Sequence, residues 1–224
     1  MKYVKLNING TDYNSTKFVA LQTHKSLFDS EPSVGNCICG ELEATLLIPN
    51  ASIPRNAKVI PYVKEDNGAW QKKSEFFIYS RSTDYVSGAL TIKAYDAIFK
   101  AEAPILLPGN VGQWPRTDKA VMQEIASRTG TTINAESLAF MNKGYPVQFP
   151  GISVEGESGT EYEADGTTMR QVAGYIASMY AGNWIIDSAG EWRLIRLGDV
   201  PPITNYLIEE HGDNILIGGV RILV

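Results

Sequence analysis

Apolar and polar positions alternate with a period of two through most of the first hundred residues, the pattern of strands with one buried face. Tyr3, Val4, Leu6 and Ile8 lead into Asn9-Gly10, a tight-turn dipeptide, and residues 11–14 begin a return strand, so a hairpin is predicted. Residues 17–23 continue the alternation. Residues 37–48 read as a longer strand stopped by Pro49-Asn50, and Ile53-Pro54-Arg55 restarts the chain as a strand over 57–64. Glu65-Asp66-Asn67-Gly68 supplies a turn; residues 74–81 and 88–95 complete the set, with turn chemistry at 82–87 between them. Seven or so short strands at this spacing, with hardly any helix before residue 116, predict an all-β first domain over 1–104, a small barrel or a sandwich.

Residues 101–114, rich in Pro and Gly, form a connector. Beyond it the period lengthens. Val121, Met122, Ile125 and Ala126 share a helical face, Thr117-Asp118 starts that helix and Gly130 ends it. A second helix is marked by Thr168 and Gln171, spaced as a capping box requires. Met169, Val172, Ala173, Ile176, Ala177 and Tyr180 then line one face, and Gly182-Asn183 stops it. The helices echo each other, Val121-x-x-x-Ile125-Ala126-Ser127 against Val172-x-x-x-Ile176-Ala177-Ser178, each followed by a strand. Residues 183–187, the turn Ser188-Ala189-Gly190 and residues 191–197 predict a hairpin whose Trp184 and Trp192 pack on the adjacent helix. The expected fold class is mainly β with an α+β second domain: a small β-barrel-type domain, then a helix-plus-hairpin domain over 105–210 with two helices. Residues 211–224 read as strand material leading toward a further domain of a longer protein.

Composition narrows the partners. The 224 residues are 44% hydrophobic and 20% charged, an ordinary globular balance. The net charge of −5, with no basic run longer than Lys72-Lys73, argues against nucleic acid. The uncharged run 103–114 holds two prolines and two glycines and is too short to cross a bilayer, so no membrane insertion is expected. Met1-Lys2-Tyr3-Val4-Lys5 begins basic, but Asn7, Asn9 and Asp12 interrupt any signal-peptide core; production in the cytoplasm is expected.

Candidate chemistry is sparse. Cys37 and Cys39 would share a strand face, yet a C-x-C pair lacks the other ligands of a zinc site, and the pair reads as two small buried thiols. His24 and His211 lie in a strand end and a polar turn, without a second ligand or nucleophile nearby in sequence. Glu155, Glu157, Glu161, Glu163 and Asp165 are close enough in sequence to bind a hard cation or serve glycoside hydrolysis, or to form a solvated loop before Thr168; their order does not match an EF-hand. Trp70 and Trp114 lie in loop-like surroundings and suit a protein contact or a sugar platform. No phosphate loop, dinucleotide fingerprint or G-x-S-x-G elbow occurs.

The most specific residues belong to the scaffold: Ser33-Val34-Gly35-Asn36-Cys37 before a Glu-Leu strand, and Ile53-Pro54-Arg55-x-Ala57-x-Val59-x-Pro61-Tyr62-Val63. Phe76-Phe77-Ile78-Tyr79-Ser80-Arg81 and Leu90-Thr91-Ile92-Lys93-Ala94-Tyr95-Asp96-Ala97 follow. The last is the helix-hairpin Thr168-Met169-Arg170-Gln171-Val172-x-x-Tyr175-Ile176-Ala177 with Gly182-Asn183-Trp184. Together they resemble prophage tail proteins of Gram-positive bacteria, similar to the hub of contractile-tail baseplates and to the N-terminal part of tail-associated lysins. The resemblance spans nearly the whole chain. It implies a homotrimer whose β-barrel domains ring the tail channel at the virion tail tip. It also implies that the hub joins the tail tube or distal tail protein to a spike, fibre or lysin, beside the tape measure protein. No catalytic residue, metal or cofactor is implied. The alternatives are a cell-wall hydrolase using carboxylates from Glu155 to Asp165, and a glycan-binding module using Trp70 or Trp114.

Overall fold

A computed structural model describes residues 2–28, 33–48, 53–107, 114–148, 150, 152–156, 159–163, 166–199, 207–208, 215–217 and 220–222. Strands β1 (Lys2–Ile8) and β2 (Thr11–Asn14) form the expected hairpin. Its turn holds Asn9 and Gly10 at φ of 50° and 89°, a conformation that asparagine and glycine adopt at least cost. The Gly10 amide donates to Asn7 Oδ1 (3.1 Å).

A 3-10 turn, Ser15–Lys17, capped by Asn14, leads into β3 (Phe18–His24). Then follow β4 (Glu41–Leu47), β5 (Lys58–Glu65), the short β6 (Gln71–Lys72), β7 (Phe76–Asp84) and β8 (Ala89–Tyr95). All eight strands join one antiparallel sheet in the order β2-β1-β5-β7-β8-β4-β3, with β6 on β5. Alternate side chains turn inward: Leu6, Leu42, Leu46, Val59, Phe76, Ile78 and Ile92 anchor one core, each stabilising the fold by about 1.5–3 kcal/mol.

The barrel expectation requires correction. Tyr13, Phe18 and Leu21 of the two edge strands pack on this same core, so the sheet curls until its edges are joined by the three-residue turn alone. Yet no ladder links β2 to β3 among the described residues. Ser15–Lys17 splits what would be one strand into halves, the first bonded to β1 and the second to β4. The result is an open, curled sheet. The strand expected to begin at Cys37 begins instead at Glu41. Gly40 accepts the Asp96 amide (3.0 Å) and gives its own to Asp96 Oδ2 (2.8 Å), which turns the chain there.

After β8, Asp96 caps a 3-10 segment, Ala97–Glu102, which lies mostly before the connector expected over 101–114. Helix α1 (Asp118–Thr129) has the expected ends, with Thr117 as N-cap and Gly130 left-handed at φ 74°. A short α2 (Ala135–Phe140) follows, which makes three α-helices among the described residues where two were expected. Short β9 (Arg116–Thr117) pairs with β10 (Pro146–Val147). Strands β11 (Ile152–Gly156) and β12 (Gly159–Glu163) form a hairpin where a loop was one of the readings. Ile152 and Val154 alternate with Ser153 and Glu155, and that period is enough for a strand despite the charge.

Helix α3 (Met169–Met179) carries both halves of the capping box: Gln171 N donates to Thr168 Oγ1 (3.2 Å), and Thr168 N donates to Gln171 Oε1 (2.8 Å). It is capped at Tyr180, two residues before the expected Gly182, where Ala181 takes the left-handed conformation (φ 49°). Gly182 opens β13 (Gly182–Ile186) instead, and β14 (Trp192–Arg196) completes the hairpin around Asp187. The Asp187 Oδ1 accepts three turn amides, from Ala189, Gly190 and Glu191. Backbone pairing defines a last small sheet of β15 (Leu207–Ile208), β16 (Ile215–Ile217) and β17 (Val220–Ile222). Among the described residues no helix is long and apolar enough to cross a membrane.

A second core gathers Val121, Met122 and Ile125 of α1, Val172 and Ile176 of α3, and both hairpin tryptophans, as expected for the latter. Cys37, Ile98 and Ala101 belong to it as well.

Candidate functional site

The segment 33–40 is where the two cores meet. Extended backbone at Asn36-Cys37 lies parallel to β13: the Gly35 amide donates to Gly182 O and the Trp184 amide to Asn36 O, both at 2.9 Å. On the far side of the hairpin, Ile133 bridges Trp192 in the same parallel sense, through Trp192 N to Thr132 O and Asn134 N to Trp192 O (2.9 Å each). The β13–β14 hairpin is thus flanked by one residue-long bridge on each edge. Sequence periodicity does not register single bridges, so both escaped it.

Asn183 fastens the joint. It is buried and uses its whole amide: Nδ2 donates to Leu27 O (3.2 Å) and Ser33 O (2.8 Å), and Oδ1 accepts the Asn36 amide (2.7 Å). Gly35 lies so near α3 that a Cβ there would sit 2.1 Å from Ser178 Oγ. From α3, Arg170 Nε donates to Cys37 O (2.6 Å) while its guanidinium pairs with Glu102. A cleft of about 450 Å³ opens along this line, walled by Asn36, Ile38, Glu102, Arg170, Gln171 and Tyr175.

A second, smaller cavity of about 210 Å³ lies beside it. Leu27, Ile38, Ile185 and Ile195 form its apolar wall, with Lys25 and Asp96 at the polar end. Lys25 turns its ammonium onto Ile186 O (2.6 Å), and burial lowers its pKa against the pull of Asp96 and Asp187. Burial raises the Asp96 carboxyl, opposed by the Gly40 and Ile98 amides and by Lys25. Burial likewise pushes both thiols well up; Arg170 partly offsets this at Cys37, and Asp96 adds to it at Cys39. Protonated, enclosed thiols are poor nucleophiles.

The other candidates are scattered. His24 ends β3, exposed and opposite Glu41. His211 lies outside the described residues, as do the side chains of Glu155, Glu157, Glu161, Glu163 and Asp165. Trp70 is partly exposed, but the ammonium groups of Lys5 and Lys64 sit 5.0 and 5.2 Å from its ring centroid, where a sugar would need an open face. Trp114 packs against the second core with Arg116 5.4 Å from its centroid. Among the described residues no group of three His, Cys, Asp or Glu side chains is placed to hold a metal ion.

No protein-family model and no curated protein matches the chain. Solved structures do. The chain shares its fold with a prophage tail protein. That protein is the 43 kDa tail protein of prophage MuSo2 from Shewanella oneidensis, with a TM-score of 0.52, 14% identity, and 88% of this chain and 56% of that one covered. A tail protein from Neisseria meningitidis MC58 superposes with a TM-score of 0.50 at 13% identity, covering 86% of this chain and 51% of its own. Prophage tail protein gp18 from Listeria monocytogenes EGD-e gives a TM-score of 0.45 at 9% identity, covering 93% and 55%. The chain spans about half the length of each.

Proposed function

We propose that this chain is a structural, non-enzymatic component of a phage or prophage tail. In this reading it assembles as a homotrimeric hub at the tail tip or baseplate and links the tail tube or distal tail protein to a spike, fibre or lysin. The observation that carries the reading is the fold shared over nearly nine-tenths of the chain with the MuSo2 tail protein. Two features of the molecule support an assembling role. Its curled sheet leaves strand edges open, as a subunit paired to neighbours requires. Its inter-core joint is fastened by Arg170, which bonds the backbone carbonyl of Cys37 and pairs with Glu102.

The test is purification of tail particles from induced cells, followed by electron microscopy with an antibody to this chain. Three copies per particle at the tail tip are expected. Particles that lack the chain, or lysis zones that require it in a wall-digestion gel, would overturn the proposal.

A further inference from the structure

The chain is acidic overall, yet one part of its sheet is basic. Residues 2–17 and 55–75, which hold β1, β2, β5, β6 and their turns, carry eight Lys and Arg against four Asp and Glu, in a chain of net charge −5. The pairing of β1 with β5 sets Tyr3 opposite Lys64 and Lys5 opposite Tyr62, so ammonium and ring alternate in both directions on one face of the sheet. Trp70 lies against this lattice. The Lys5 ammonium sits 5.0 Å from the Trp70 centroid and 5.1 Å from that of Tyr62; the Lys64 ammonium sits 5.2 Å from both Trp70 and Tyr3. Such contacts hold a long side chain in place without neutralising its charge.

Two clefts flank Trp70. One, of about 710 Å³, has Lys2, Lys64, Lys73 and Glu65 on its walls and runs past Ala69 and Gln71, the chain neighbours of Trp70. The other, of about 530 Å³, is walled by Trp70 itself with Tyr13, Lys5, Lys17 and Asp12. The two carboxylates are already engaged: Glu65 pairs with Lys2 (3.5 Å) and Asp12 with Lys5 (2.6 Å). Lys17, Lys64 and Lys73 have no carboxylate partner among the described residues. Lys73 bonds the Gln71 side-chain oxygen (3.3 Å). Three uncompensated cations thus line the clefts beside a partly exposed indole, a side chain that commonly anchors protein contacts.

Among the described residues both clefts are lined by lysine and not by arginine, so they lack the planar fork that grips a phosphate with two bonds. The rings that would stack a base or a sugar already hold an ammonium group. Carboxylates, which a point cation satisfies, match this surface best. We propose that this face docks an acidic polypeptide segment of a partner protein, its carboxylates meeting Lys17, Lys64 and Lys73 and its chain lying over Trp70. The inference goes beyond the tail role and does not depend on it.

The test is calorimetric titration of the full chain with poly-L-glutamate at low ionic strength. Saturable binding is expected, weakening as salt is added. Lys17→Glu with Lys64→Glu and Lys73→Glu should weaken it about tenfold or more, whereas the same reversal at Lys119, Lys143 and Arg193 should change it less than about threefold. In the unaltered chain, acetylation footprinting should show Lys17, Lys64 and Lys73 shielded by the polymer and Lys119 and Lys143 still labelled, a readout that needs no variant to fold. No saturable binding, equal loss in the two variants, shielding of the other lysines, or tighter binding of oligothymidylate or heparin than of poly-L-glutamate would each overturn the proposal. So would self-association of the unaltered chain that the reversal at Lys17, Lys64 and Lys73 abolishes, since the occupant would then be a second copy. The titration reads this surface alone: its failure leaves the tail role standing, and tail particles without the chain leave this surface standing.

Discussion

A Cβ placed on Gly174 would lie 2.6 Å from the carbonyl oxygen of Gly35. Helix α3 and the segment that joins the two cores therefore touch backbone to backbone. In an ordinary helix interior, Gly→Ala stabilises by about 0.5–1 kcal/mol. Here the sign reverses. Gly174→Ala is expected to destabilise by about 1–3 kcal/mol, lowering Tm by roughly 3–10 °C in differential scanning calorimetry. An unchanged or raised Tm would show that the helix can back away.

Asn183 makes the second test. In Asn183→Asp both donors are lost and a carboxylate faces the carbonyls of Leu27 and Ser33, a cost of about 2–3 kcal/mol. The damage should be local first. Hydrogen exchange should accelerate at the Gly35 and Trp184 amides before those of β1, β4 and β8. Uniform acceleration across the chain would mean that the joint is not a separate fastening.

The Thr129 hydroxyl has four partners: it lies 2.9 Å from Ile125 O and 3.0 Å from both Ala126 O and Thr131 Oγ1, and accepts from Trp192 Nε1 at 3.1 Å. Thr129→Val leaves the buried indole N–H without its acceptor, an expected loss of about 1–3 kcal/mol. Urea titration followed by tryptophan fluorescence should show the earlier midpoint, and equal midpoints would contradict it.

Stability should also depend on pH through Glu75, which bridges Lys58 (2.8 Å) and Lys72 (2.6 Å). Burial alone would raise its pKa; the hydrogen bonds from the two ammonium groups outweigh burial and hold it below the ordinary 4.5. A carboxyl depressed on folding binds protons more weakly in the folded chain. It therefore stabilises the fold above about 4.5, and that contribution fades as pH falls through the folded pKa. Wild type should exceed Glu75→Gln by about 1 kcal/mol near neutrality, and the gap should close in acid. A gap that widens in acid would reverse the sign.

Thiol reagents give a simple check on the joint. Cys37 is buried and Cys39 donates to Asp96 Oδ1 (3.3 Å), both with raised pKa. Labelling should be slow in the native chain, about 100-fold or more below a free cysteine, and reach two thiols per chain once unfolded. Fast native labelling would place a thiol at the surface.

What was legible in the sequence was what neighbours within a few residues decide. Asn9-Gly10 sets its own turn, Thr168 and Gln171 cap each other, and Gly130 ends α1 because it alone in that stretch takes a left-handed φ cheaply. The open sheet was not legible, since Ser15–Lys17 looks like a continuation of strand alternation. Helix α2 is six residues long with Asn134 as its main signal, and its docking depends on a distant bond, Leu194 N to Ser137 Oγ (2.9 Å). The β11–β12 hairpin hid behind its carboxylates. Segment 33–40 has a distinctive sequence, but nothing near Cys37 names its partner Trp184, and Arg170 reaches Cys37 O from the first turn of α3.

The single bridge between Cys37 and Trp184 spans most of the chain. During synthesis, residue 37 waits for almost one hundred and fifty more residues before its pairing partner exists, and closing so long a loop is entropically slow. The curled sheet, whose strands end at Tyr95, has all its own partners much sooner. The second core therefore completes after the sheet has all its partners, and a fragment starting after that sheet would lack the Cys37, Cys39 and Phe77 side chains that pack into it.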